Sequence, residues 1–186
     1  MPPLRRAPVK PFRMAAFLFL GLMGCTHHGP TRQFATTHAT SQASQLRYVE
    51  SVDAYAAVPD GWHADPLKSS ATHKHQVWIS PSGHTAYGII HFTLPMPIGH
   101  DLALWGFLEN MKRSEGEATL LSKKWDPNLY AIRFVVVGGL YMVRANLFVR
   151  GAEGWAVYAG TLRKEQIEPD ELAQAEQARE LTKIGK

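Results

Sequence analysis

The chain has 186 residues, 45% of them hydrophobic, with 20 Lys+Arg against 16 Asp+Glu, a formal net charge of +4 and a single cysteine. Four of the bases, Arg5, Arg6, Lys10 and Arg13, stand in the first 24 residues, which hold no acid, so removing that segment leaves 16 basic against 16 acidic residues. A neutral remainder argues against nucleic acid as a partner, and one cysteine excludes an internal disulfide.

The basic N-terminus leads into the apolar run MAAFLFLGLMG at 14–24, which ends at Cys25. This is the pattern of a secretory signal peptide. In a helix the run spans about half of a ~30 Å hydrocarbon core, too little for a permanent crossing. Leu22-Met23-Gly24-Cys25 resembles the lipobox of bacterial lipoproteins, with a large aliphatic residue three before the cysteine and a small one just before it; Met23 is larger than the residue usual at its place. The resemblance implies that 1–24 are a lipoprotein signal peptide and that the Cys25 thiol carries diacylglycerol. Two or three fatty acyl chains such as palmitate anchor stably, because each buried methylene contributes ~0.8 kcal/mol. The expected location is the cell envelope, reached by export; Thr26 in place of an aspartate favours the periplasmic side of an outer membrane if the organism is Gram-negative. Residues 25–46 are rich in Thr, Ser, Ala, His and Gln and read as a disordered tether. Its His27, His28 and His38 read as solvated.

Residues 47–186 have the size of one domain with a single core. A strand is expected over 48–58, followed by the turn Pro59-Asp60-Gly61 before Trp62. Alternation over 75–80 and 85–94, around Pro81-Ser82-Gly83-His84, predicts a hairpin that Pro95 and Pro97 stop. Leu104, Leu108 and Met111 at helical spacing predict a helix over 101–114, with Asp101 as N-cap or first-turn acid and Gly116 beyond its end. Strands over 118–125, 129–137, 140–150 and 155–163 are joined by links short enough to permit only antiparallel pairing. A closing helix over 169–184 begins at Pro169, places Asp170 and Glu171 in its first turn, and shows a weak apolar stripe at Leu172, Ala175, Ala178 (or Arg179) and Thr182. The order predicts an α+β domain: an antiparallel sheet of about six to seven strands with two packing helices.

Val58-Pro59-Asp60-Gly61-Trp62, then Ile79-Ser80-Pro81-Ser82-Gly83, a helix and a meander resemble the PsbP/Mog1/DcrB-like superfamily. The resemblance covers about residues 55–181. It implies an αβα sandwich and an exported protein that binds or assembles other proteins and is not an enzyme. The matched residues are structural: Pro59 and Gly61 shape a turn and Trp62 packs beneath it.

Chemistry is sparse. His73 and His75 share a strand face, His84 stands in the following turn and His91 on the partner strand, a weak candidate metal set with no carboxylate in the hairpin to complete it. No HExxH, CxxC or GxSxG occurs, and Ser80 and Ser82 beside Pro81 read as turn residues. Glu109, Glu115 and Glu117 read as a solvated helix face, and Gly138-Gly139 as a hairpin turn. Arg133 and Arg144 alternate with apolar neighbours on adjacent strands and are candidates to grip an anionic group of a ligand or partner. Trp78 and Met142 fall on the face opposite their apolar partners; either the second helix covers that face or it is an interaction surface. The expectation is a lipid-anchored envelope binding or assembly module without catalytic activity or cofactor, acting on an envelope protein. The alternative is a small-ligand or metal-binding protein that uses a helix–sheet cavity or the His75/His91 hairpin.

Overall fold

The computed structural model describes residues 46–163 and 165–185. Cys25, the apolar run before it, and His27, His28 and His38 lie outside the described residues.

The expected first strand is broken in two. Asp53 adopts a left-handed conformation at φ 45° and turns β1 (Arg47–Val49) and a 3-10 turn (Glu50–Val52) back onto β2 (Ala54–Ala56). Tyr48 faces Tyr55 in this hairpin and donates its hydroxyl to Asp53 Oδ1 at 2.7 Å.

The main sheet is built from β3 (His63–Ala64), β4 (Lys68–Ser69), β5 (His73–Ile79), β6 (Thr85–Thr93), β7 (Ala118–Asp126), β8 (Ala131–Gly138), β9 (Tyr141–Arg150) and β10 (Glu153–Leu162). It has eight strands, because β3 and β4 add two short segments against β5. The order is β3-β5-β6-β10-β9-β8-β7, and all the pairings are antiparallel. After β6, the helix α1 (His100–Glu115) carries the chain to β7 at the far edge, and the expected meander returns strand by strand until β10 pairs with β6. The sheet is therefore closed in its middle by residues distant in sequence.

Alternation sorts the strand residues onto two faces. On β10, Trp155, Val157 and Ala159 join one buried cluster while Ala156 and Tyr158 join the other. The first cluster includes Ala175 and Ala178 of α2 (Pro169–Leu181); the second includes Ala103 and Leu104 of α1. One helix thus lies against each face. Burial of side chains such as Phe134 or Ile89 contributes roughly 1.5–3 kcal/mol each.

Helix α2 ends three residues before its expected limit. Thr182 is extended, its hydroxyl donates to the Ala178 carbonyl at 2.7 Å and lies 2.5 Å from the Tyr87 phenol oxygen. The following β11 (Lys183–Ile184) pairs with β2 and buries Ile184 in the core. The apolar stripe of α2 consists mostly of alanines and offers little area, so polar ties supplement it. Trp62 Nε1–H donates to Gln174, Ser82 donates to Glu171, and Arg144 and Arg133 pair with Glu176 and Glu180. Among the described residues no helix is long and apolar enough to cross a membrane.

Candidate functional site

The histidines singled out from sequence do not converge. The register sets His75 opposite Ile90 and Lys74 opposite His91, so the pleat sends His75 and His73 to the α1 face and His91 to the α2 face. A shared His75/His91 metal site is thereby corrected: the sheet itself stands between the two rings. His75 is 4% exposed and its Nε2 lies 2.7 Å from the Tyr158 phenol oxygen; burial, with smaller effects of Lys68 and His73, pulls it down to about 3. His73 Nδ1 meets Ser70 Oγ at 2.7 Å, and His91 stacks flat on Trp155 with centroids 4.6 Å apart. His84 Nδ1 bonds the Gln166 carbonyl. Among the described residues no three His, Cys, Asp or Glu side chains gather as a metal-binding group.

Of the residues proposed for partner binding, Trp78, Arg133 and Arg144 are occupied within the fold. Trp78 is 7% exposed and stacks on Tyr87 at 5.1 Å, inside the cluster that α2 closes, so it presents no free surface. Met142 is half-buried. Arg144 pairs with Glu176, and Arg133 reaches both Glu180 oxygens at 3.1 and 2.8 Å. The anionic groups these arginines grip belong to α2 of the same chain. Ser82 donates its hydroxyl and its N–H to Glu171, at 2.5 and 3.0 Å, which ties the β5–β6 turn to the start of α2.

A different set of side chains is presented outward. Trp125 at the end of β7 and Tyr130 just before β8 flank the turn Asp126-Pro127-Asn128, and the hairpin brings their rings to 5.1 Å at 77°. His100, the first residue of α1, meets both rings edge-on at 4.9 and 5.5 Å. Its Nε2 lies 3.2 Å from the Tyr130 carbonyl, the geometry of a donated hydrogen bond. Trp125 is 42% and Tyr130 66% exposed. An open groove of about 450 Å³ runs beside them, lined by Gly99, His100, Asp101, Lys123, Trp125 and Ile132. Asp101 and Lys123 face each other there at 2.8 Å. Asp101 is a first-turn acid; the N-cap is Gly99, without a side-chain capping bond. Ile132, 3% exposed, seals the floor.

The display is rigid. Tyr130 sits at φ 51°, a left-handed conformation costly for a bulky residue and commonest where surrounding structure enforces it. That enforcement is visible: Asp126 Oδ1 accepts the N–H groups of Asn128 and Leu129 at 3.0 and 3.3 Å, while its Oδ2 lies 2.8 Å from Arg133 Nε. Burial raises the Asp126 pKa, but those two N–H groups and Arg133 outweigh it and hold the carboxyl below its ordinary value. Arg133 thus couples α2 to the turn that shows Tyr130. Sequence reading missed this set because His100 lies 25 and 30 residues before Trp125 and Tyr130. The available signal was Trp125 and Tyr130 on either side of a turn short enough to juxtapose them.

No family model, curated protein or solved structure matches the chain.

Proposed function

We propose that this protein is an exported, lipid-anchored module of the cell envelope that acts by binding rather than catalysis, with the groove lined by His100, Asp101, Lys123 and Trp125, and Tyr130 beside it, as its binding face. The observation that carries the reading is the braced presentation of two exposed aromatic rings, Trp125 and Tyr130, with half-buried His100 against both, beside an ion pair. Concave sites with apolar walls and a few polar groups are where ligands bind, and strained, exposed aromatics concentrate at such sites. The side chains suited to acid–base work elsewhere, His75, Ser82 and Glu171, are engaged in holding strands and α2 together. The turn at Pro59–Trp62, with Trp62 N–H on the Pro59 carbonyl and Gly61 at φ 79°, supports membership in the PsbP/Mog1/DcrB-like superfamily, as does the placement of a helix on each face. The basic and apolar N-terminal run ending at Cys25 supports the anchor.

The test uses the full-length protein in a bacterial host. Radiolabelled palmitate should enter the wild type and not Cys25→Ala; no label in the wild type sinks the anchor. A photo-crosslinking amino acid at position 130 should give an adduct in cells that Trp125→Ala abolishes, whereas the same probe at position 142 should give none. The absence of an adduct at 130, together with the absence of any ligand whose binding depends on Trp125, sinks the binding reading.

A further inference from the structure

We propose that the groove binds neutral carbohydrate, a run of pyranose sugars stacked on its rings. The inference rests on the reading of this groove as the binding face and names its ligand class. Three features of the lining favour sugar. First, the lining includes the exposed indole of Trp125, and the exposed Tyr130 phenol stands beside the groove in a T-shaped contact with it at 77°, so aromatic surface borders the groove. Such faces carry negative quadrupole charge and attract the slightly positive C–H edges that a pyranose ring presents on one side. Second, Asp101 and Lys123 cancel in charge yet keep unused hydrogen-bonding capacity, since an ammonium has three donors and a carboxylate about four acceptor sites. Adjacent hydroxyls of one sugar satisfy both, one donating to the Asp101 carboxylate and the other accepting from the Lys123 ammonium. A cancelled pair gives no preference for an anion or a cation. Third, the groove floor is sealed at Ile132, so it offers no deep slot for an acyl chain or for the anchoring side chain of a protein partner.

The surface also has length. Trp105 lies four residues after Asp101, one turn further along the same stripe of α1, and is 60% exposed. A further exposed ring one turn along α1 from Asp101 suits a chain of sugars rather than a single one. Because Tyr130 and Trp125 are held in place before binding, little side-chain ordering is required when the ligand arrives.

The test is titration of the full-length protein in detergent with cellotetraose, maltotetraose and tetra-N-acetylchitotetraose, followed by tryptophan fluorescence and saturation-transfer NMR. At least one should bind, and Trp125→Ala should weaken it about tenfold, as expected for loss of a stacked ring. Tyr130→Asn, which keeps a residue tolerant of positive φ, should weaken it less while remaining folded; Met142→Ala should change nothing. Sugar binding indifferent to Trp125→Ala overturns the proposal. So does the failure of all three sugars while the crosslink at position 130 persists, which would assign the groove to a protein and leave the binding reading intact. Failure of both the sugars and the crosslink removes the binding reading itself.

Discussion

His75 Nε2 and the Tyr158 phenol oxygen lie 2.7 Å apart although β6 runs between the strands that carry them. The gap that permits this is Gly88, paired with Val77 on one side and Tyr158 on the other. A Cβ there would stand 2.4 Å from Tyr158 Cζ. Gly88→Ala is therefore expected to destabilise the domain by about 1–3 kcal/mol through overpacking. The cost should shrink in a Tyr158→Val background, and denaturant titration of both single variants and the double variant measures the coupling. Tyr158→Phe removes one partner of a buried pair and should cost about 1–3 kcal/mol.

The same pair sets a pH dependence. Burial, together with Lys68 and His73, pulls His75 down to about 3, below its unfolded value near 6.5, so the neutral imidazole is favoured in the folded state. Its contribution is whole above about pH 6.5 and is lost as pH falls from there toward about 3, with a limiting slope of about 1.4 kcal/mol per pH unit. His75→Gln should lower stability at neutral pH and flatten the slope between about pH 6 and 4.5. His73 and His91, also lowered chiefly by burial, should leave a residual slope. An unchanged slope in His75→Gln would show that the ring is solvated rather than enclosed.

Helix α2 should be the acid-sensitive element. Burial pushes the Glu171 carboxyl up, but its bonds from Ser82 and Ser80 outweigh that and leave it below its ordinary value. A carboxyl lowered on folding contributes stability above its unfolded pKa and loses it as pH falls through the folded value. Glu171→Gln should cost about 1 kcal/mol at pH 7 and speed hydrogen exchange in α2 before the main sheet opens.

The two arginine ties of α2 are half-exposed, so each is worth little: Arg144→Met and Glu176→Gln should cost about 0.2–1 kcal/mol apiece. Arg133→Met should cost more, because it removes one cation from two carboxylates at once, leaving Glu180 with Arg179 and Asp126 with the N–H groups of Asn128 and Leu129. It should also loosen the Tyr130 turn, seen as line broadening at residues 126–130, while Arg144→Met leaves that turn unchanged.

Tyr130→Asn replaces a bulky residue at φ 51° with one that tolerates the left-handed region. Relief of roughly 1–2 kcal/mol of strain offsets the lost ring contacts, so thermal stability should hold within about 1 kcal/mol. A large loss would mean that the Tyr130 ring supports the fold rather than being displayed by it.

The α+β class, the 81–84 hairpin, the meander and α1 were legible from residue order, because period-two and helical spacing and short Gly- or Pro-containing links are local signals. What escaped depended on distance. A strand over 48–58 looked continuous because nothing local predicts that Asp53 turns left-handed until β11 pairs with β2 from the other end of the domain. Arg133 and Arg144 were correctly placed outside the apolar alternation, but their anions sit on a helix more than thirty residues later in the chain. His75 and His91 looked close in the hairpin, and they are; pleat parity, fixed by the register, sends them to opposite faces.

Sequence by itself determined the charge balance, the pattern that ends at Cys25, and the local elements with their turns, since each depends on residues within a few positions of one another. Tertiary structure alone decided which groups are consumed inside the fold and which are shown. Trp78 is closed in beneath α2 and the arginines are spent on Glu176 and Glu180, while Trp125, Tyr130 and His100 are brought together, with Trp125 and His100 lining an open groove. The reason is physical: burial and pairing depend on what another part of the chain lays over a face, and local pattern says which side a residue points to without saying what covers it.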